Sequence, residues 1–285
     1  MISRFSLQSR PAADVGDVRR HDDLQFLSFP GGERHVRLPA SALGCSDRCW
    51  TLTAHLYSAE GVMDLLLLTD ALRRAAPAGA ELHLVMPYVP YARQDRVALA
   101  GEPLSAAVFC RLVNSLDFVS VTIADPHSDV VPALLERVRV QPAADAVRQL
   151  RAQALGHLPG LALVAPDAGA RKRVEQVGKA LGLPVAYAGK TRDPATGRLS
   201  GAEVQGELPD LPLLIVDDIC DGGGTFVALA QVLRERTRQP LYLYVTHGLF
   251  TKGLAPLQAH FDGVFAAHCA NPDLAAATAL TGRSA

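Results

Sequence analysis

Short apolar runs of strand length alternate with segments of helical period along most of the chain, and this alternation restricts the fold more than any other feature. LQFLSF (24–29) and ERHVRL (33–38) flank Pro30-Gly31-Gly32 and read as a hairpin. CWTLTAHL (49–56), LHLVMPY (82–88), FVSVTIAD (118–125), LALVAPD (161–167), VAYAGK (185–190), LLIVDD (213–218), LYLYVTHG (241–248) and GVFAAH (263–268) read as strands. Between them, 63–76, 104–116, 144–155, 170–182 and the segment from Thr225 onward carry helical patterns. Strands this apolar are expected to be covered on both faces, and β-α-β order calls for crossover helices. The expected class is α/β, with parallel sheets flanked by helices. Each half holds a strand that runs into proline and polar residues, LVMPYVPYARQD and LVAPDAGARKR. Two similar domains are therefore expected, residues 1–145 and 146–285. A chain of 285 residues, 49% of them hydrophobic, can bury cores for both.

Several function classes lose their footing at this stage. A formal net charge of −1 gives no electrostatic footprint for nucleic acid or an anionic membrane. No apolar run approaches the ~18–20 residues that span a bilayer. The opening MISRFSLQSRPAADVGDVRRHDD lacks the apolar core of a secretory leader. Five cysteines are few and odd in number, so a disulfide framework is not expected, and the expected location is the cytoplasm. Cys45 and Cys49 form a C-x3-C pair with no second pair nearby, and read as ordinary thiols rather than zinc ligands.

The segment LLIVDDICDGGGTFVALAQVL (213–233) carries the densest chemistry. Asp217 and Asp218 fall at the carboxyl end of a strand, where open α/β sheets bind ligands. Gly222, Gly223, Gly224 and Thr225 then lead into a helix, offering successive N–H groups to a phosphate. Carboxylates repel phosphate, so Asp217, Asp218 and Asp221 call for a different group, and the adjacent hydroxyls of a ribose suit them. A sugar phosphate satisfies both halves. The G-x-x-x-x-G-K-[ST] pattern of a P-loop is absent. TRDPATGRLSGAEVQGE (191–207) is long and rich in Gly, Pro, Ser and Thr, and reads as a functional loop of the lid kind.

The acid–glycine segment resembles the phosphoribosyl-pyrophosphate (PRPP) loop of type I phosphoribosyltransferases and of ribose-phosphate pyrophosphokinases. MPYVPYARQDR (86–96), EPLSA (102–106), ADPH (124–127), APDAGARKR (165–173), Lys190-Thr191-Arg192 and THGLF (246–250) resemble the signature segments of the second family, in order and in register. The resemblance implies two tandem phosphoribosyltransferase-like domains, the first carrying ATP-binding elements and the second the PRPP loop. It also implies transfer of the β,γ-pyrophosphoryl group of ATP to the anomeric hydroxyl of ribose 5-phosphate, giving PRPP and AMP. By the same resemblance Lys190 and Arg192 are the catalytic cations. Phe29 and Glu33, with Arg93, Gln94 and Asp95, match the ATP-binding positions, and His127 and Asp167 match the positions for magnesium. A homo-oligomer is implied too, with ATP and a ribose-phosphate acceptor as partners and neither nucleic acid nor membrane among them.

The chain also departs from that family. Gly222 stands where the family's loop usually has threonine, Ser58-Ala59-Glu60-Gly61 replaces an Asn-Asp-Asn type run, and no Gly-Phe-Phe follows ADPH. The first departure leaves a second acceptor open, one with a substituted 5′-phosphate such as ADP-ribose, which the same chemistry would turn into an NAD-salvage intermediate. Two further readings stand beside these: a phosphoribosyltransferase, and a catalytically silent regulatory subunit of the PRPP synthetase-associated kind.

Overall fold

The computed structural model of the chain describes residues 3–13, 16–192 and 199–279; of 190–192 and 199–202 it describes the main chain alone. The chain forms two compact units, Met1–Gln141 and Pro142–Ala285. Unit 1 contains β1 (Arg4–Arg10), β2 (Arg19–His21), β3 (Gln25–Ser28), β4 (Arg34–Arg37), β5 (Cys49–His55), α1 (Ala59–Ala75), β6 (Glu81–Val85), α2 (Ser105–Asn114), β7 (Ser120–Ala124), α3 (Val130–Leu134) and β8 (Val138–Gln141). Unit 2 contains α4 (Ala143–Gln153), β9 (Ala162–Ala165), α5 (Arg171–Leu181), β10 (Val185–Arg192), β11 (Leu199–Gln205), β12 (Leu213–Cys220), α6 (Gly224–Arg236), β13 (Leu241–Gly248), α7 (Ala255–Gln258), β14 (Gly263–Cys269) and α8 (Pro272–Ala275).

Each unit is built on one six-stranded sheet, in the orders β2-β1-β5-β6-β7-β8 and β11-β10-β9-β12-β13-β14. The neighbours from β5 to β8 and from β10 through β9, β12 and β13 to β14 are parallel. Both sheets are nonetheless mixed, not purely parallel. β1 pairs antiparallel with β2 and β5, and β11 pairs antiparallel with β10. The reason is connectivity: among the described residues no α-helix lies between β1 and β5 to serve as a crossover, and the stretch between Arg192 and Leu199 is too short to hold the crossover that a parallel pair needs. The β3–β4 hairpin stands as a separate two-stranded sheet.

Two expectations are corrected here. The composition of 191–207 predicts a loop, but Leu199–Gln205 is strand β11, in register with β10 from Tyr187↔Gln205 to Arg192↔Leu199. Its alternation is masked by glycine and by polar side chains that an edge strand tolerates. Residues 193–198, the middle of that segment, lie outside the described residues. The second correction concerns coverage of the sheets. In unit 2, Leu213 and Ile215 enter one core with Leu229 and Leu233, while Leu214 and Val216 enter another with Val174 and Val177, so both faces are covered. In unit 1, Trp50, Leu52, Leu82 and Leu84 join the core with Leu68 and Phe109, while Thr51, Thr53, His55 and His83 form a half-buried polar row opposite. The T-L-T-A-H and E-L-H-L-V alternation carries that difference. Among the described residues, no helix is long and apolar enough to cross a membrane.

Close packing between α5 and β10 depends on Gly178, where an added Cβ would lie 2.6 Å from Val185 Cγ2 and 3.0 Å from the Leu183 carbonyl oxygen. Alanine is the better helix former by roughly 1 kcal/mol, yet Gly178→Ala is expected to destabilise the protein by about 1–3 kcal/mol through overpacking. Urea denaturation measures it, and a stabilised variant would refute the packing argument.

Candidate sugar-phosphate and nucleotide site

The parallel pairing of β12 with β9 and β13 brings three carboxyl ends side by side in unit 2. β12 ends in Asp217 and Asp218, of which Asp218 has a side chain only 7% exposed and Asp217 18%. Two adjacent carboxylates this buried repel each other, and α5 supplies the counter-charge. Arg173, in its first turn, places Nη1 3.2 Å from Asp217 Oδ1 and 3.3 Å from Asp218 Oδ1. The Asp218 N–H donates to Asp217 Oδ1 at 2.9 Å, which fixes the first carboxylate against its own strand. Burial and the neighbouring Asp218 charge still push Asp217 well above the ordinary carboxylate value, with Arg173 pulling the other way. Arg173 belongs to the APDAGARKR segment, but nothing in the sequence indicates which of its cations reaches across to β12.

Beyond the acids the chain turns into α6. Gly223 takes φ +77°, a left-handed conformation that favours glycine, and a Cβ there would also press on Leu257 at 3.1 Å. As the residue preceding α6 it has no side chain with which to cap the helix. Among the described residues, and apart from its chain neighbours and its own helix backbone, nothing lies within 4 Å of the point a Cβ on Gly224 would occupy. The N-terminal turn of a 13-residue helix, with exposed Thr225, therefore opens onto a clear approach. The THGLF segment braces this turn from behind. Leu249 and Phe250 donate their N–H groups to the Cys220 carbonyl at 2.9 and 3.1 Å, and Thr251 Oγ1 donates to Asp221 Oδ1 at 2.8 Å. The stem of Lys252 lies beside Gly222, with Cε and Cδ 3.4 and 3.5 Å from where a Cβ would stand. Sequence reasoning misses Thr251 and Lys252, although they follow the THGLF run directly. The Cys220 thiol is pushed up to about 12 by burial and by the charges of Asp221 and Asp217, so it is no nucleophile.

Asp167 follows β9, and its Oδ1 accepts from the N–H groups of Gly169 and Ala170 at 3.0 and 3.2 Å, holding the turn into α5. Lys190 and Arg192 are the sixth and eighth residues of β10, with main-chain register to Ala202 and Leu199.

The remaining candidates belong to unit 1. Phe29 and Glu33 close the β3–β4 hairpin, where the Phe29 N–H donates to the Glu33 carbonyl at 2.9 Å. Phe29 is 50% exposed and stands tilted against His35 at 5.7 Å, so its ring is presented to the exterior and is not a core side chain. Arg34 anchors the hairpin to α1 through two bonds to Asp64, at 2.8 and 2.6 Å. Arg93, Gln94 and Asp95 sit in the β6–α2 connection, where Tyr91 at φ +64° turns the chain and Ala106 donates its N–H to the Gln94 carbonyl. His127 is exposed past the end of β7, two residues after the buried Asp125, which is held at φ +38°.

Two doubly covered or half-covered α/β units, the second ending its central strand in paired acids before a glycine turn, define a phosphoribosyltransferase-type fold. Residues 20–116 match the N-terminal domain of ribose phosphate pyrophosphokinase, and 138–248 match the phosphoribosyl transferase domain. The ribose-phosphate pyrophosphokinase of Thermococcus kodakarensis is 34% identical over 239 residues, covering 81% of this chain and 79% of that protein. That of Pyrococcus abyssi is 32% identical over 246 residues, covering 83% and 81%. Phosphoribosylpyrophosphate synthetase from Mycobacterium smegmatis shares the fold, with a TM-score of 0.70 over 86% of this chain and 79% of its own, at 24% identity. The chain belongs to the ribose-phosphate pyrophosphokinase family.

The buried acid pair makes a prediction about pH. Asp217 has its folded value raised above the ordinary 3.8, so it stays protonated in the native state while the unfolded chain has already ionised. Stability is then lost as pH rises from 3.8 toward the raised value, and the loss stays constant above it. Asp217→Asn is expected to raise Tm near pH 8, by roughly 2–4 °C per kcal/mol recovered, with the gain shrinking toward pH 4. A gain that grew on acidification would contradict the assignment.

Proposed function

We propose that the protein is an ATP-dependent pyrophosphokinase acting on a ribose-phosphate acceptor. The observation that carries this reading is family membership across both units, together with the paired acids and glycine turn of β12–α6. In the proposed complex, Asp217 and Asp218 accept hydrogen bonds from the ribose hydroxyls. Asp221, held by Thr251, faces the sugar side of the grip, and the main-chain N–H groups of Gly222, Gly223, Gly224 and Thr225 take the acceptor's phosphate at the positive end of α6. Phe29 stacks on adenine, Glu33 accepts from the nucleotide, and Arg93, Gln94 and Asp95 hold the rest of ATP.

The anomeric oxygen then forms a bond to the β-phosphorus of ATP. The bond from that phosphorus to the α,β-bridging oxygen breaks, AMP leaves with the oxygen, and the anomeric proton passes to the surrounding water. Lys190 and Arg192 meet the charge that grows on the transferring oxygens. Asp167, a carboxylate already held in a strand-end turn, offers the hard oxygen donor that magnesium prefers. His127 is an unusual partner for so hard an ion and would act partly through water. Magnesium at either position would neutralise the polyphosphate and orient it. A homo-oligomer and a cytoplasmic setting go with this reading.

One observation favours a second acceptor. Gly222 lacks the side chain the family usually has, and the Lys252 stem runs along that gap. A cation beside a widened cradle suits a 5′-diphosphate better than a single phosphate, so ADP-ribose is the competing acceptor, with an NAD-salvage product.

Purified protein with ATP and magnesium is expected to form AMP with ribose 5-phosphate, ADP-ribose or both. No AMP with any acceptor would support a silent regulatory subunit, and PRPP consumption with a base and no AMP would support a phosphoribosyltransferase; either result overturns the proposal. Lys190→Ala is expected to lower kcat by roughly 10²-fold or more with unchanged folding by circular dichroism. Lys252→Ala is expected to raise KM by roughly tenfold or more for the diphosphate acceptor, and little for ribose 5-phosphate. Equal effects on the two would remove Lys252 from acceptor choice.

A further inference from the structure

We propose that Cys49, Glu81 and His83 form a zinc site at the amino-terminal edge of the unit 1 sheet. The parallel register pairs Cys49 with Glu81 and Thr51 with His83, so alternation puts all three side chains on one face. Their donor atoms lie within 4.8 Å of one another. Cys49 is 2% exposed, whereas Glu81 is 52% exposed, so the thiol is fixed in place and the carboxylate is free to swing onto an ion.

The orientation of His83 is the second observation. Its Nδ1 is 2.8 Å from Ser120 Oγ, on the neighbouring β7 at the register position opposite His83. In the tautomer whose Nδ1 donates to Ser120, Nε2 keeps its lone pair, and it lies 3.7 Å from Glu81 Oε2. This is the arrangement in which a hydroxyl or carboxylate holds a metal-binding imidazole in the correct tautomer. Arg48, the nearest cation in sequence, points its guanidinium at the carbonyls of Ala78 and Gly79 and leaves the Glu81 carboxylate open.

The donor set selects the ion. Thiolate and imidazole are poor ligands for magnesium, while one sulfur, one nitrogen and one oxygen with a fourth, water-filled position suit four-coordinate zinc. The site is separate from the proposed magnesium positions, because it lies at the start of β5 and β6 and His127 lies beyond the end of β7. Cys45, the other half of the C-x3-C pair, does not take part; its sulfur is 3.7 Å from Ser9 Oγ, in a buried group with His21 and Asp47. Bound there, zinc would tie the start of β5 to β6.

The test uses the full-length, untagged protein stripped with a chelator and titrated with cobalt(II) as a spectroscopic stand-in for zinc. One equivalent is expected to give a thiolate-to-cobalt charge-transfer band with tetrahedral visible absorption, both abolished by zinc and unaffected by excess magnesium. Cys49→Ser is expected to remove the charge-transfer band, His83→Gln to weaken binding at least tenfold, and Ser120→Ala to weaken it roughly 10–100-fold; Cys45→Ser is expected to leave it intact. Glu81→Gln, at an exposed position, keeps the test valid should Cys49→Ser fail to fold, and is likewise expected to weaken binding at least tenfold. No charge-transfer band in the folded wild type, a band that survives in folded Cys49→Ser, or its loss in Cys45→Ser would overturn the site.

Discussion

Two carboxylates on consecutive residues at the end of a buried strand depend on a counter-charge, and Arg173 reaches both of them. Losing Arg173 would leave buried negative charge under-compensated, which costs far more than a surface ion pair would suggest. The arginine comes from α5, and α5 is held against β10 by the glycine contact at position 178. The sheet order that places β9 beside β12 thus serves electrostatics as well as packing.

The same arrangement explains how acids and an anion-binding turn can be neighbours. Arg173 absorbs part of the negative charge on the strand side, and Asp217 retains a proton more readily than an exposed aspartate. In the proposed complex the glycine turn then faces less repulsion toward the acceptor's phosphate. Thr251 occupies one oxygen of Asp221, turning that side chain into a brace for the loop. The acids therefore differ in environment although they lie within five residues: two share a cation and one secures a turn.

The units differ in how their sheets are covered. Unit 2 buries both faces of its central strands, and its site is framed by helices α5 and α6. Unit 1 buries one face and leaves a polar row on the other, where Thr51, Thr53, His55 and His83 stand. That row is what allows a thiol, a carboxylate and an imidazole to meet at its lower edge. In a doubly covered sheet those positions would be occupied by aliphatic side chains.

Much of this was legible in the linear order of residues. Strand length and the alternation of apolar runs with helical segments mark the elements and the α/β class, and the D-D-x-x-D-G-G-G-T run marks the strand-to-helix turn, because local conformation and side-chain direction follow from neighbours in the chain. The β3–β4 hairpin also follows from the Pro-Gly-Gly between its strands, whereas the exposure of the Phe29 ring came from the structure. Tertiary structure decided what depends on distant residues. Strand β11 exists because β10 offers it an open edge, Arg173 meets β12 because β9 lies next to it, and Lys252 flanks Gly222 because the chain folds back after β13. Cys49, Glu81 and His83 are more than thirty positions apart at their extremes, and only the parallel register of two strands brings their donor atoms together. Pairing energy between strands is non-local, so no window of sequence contains it.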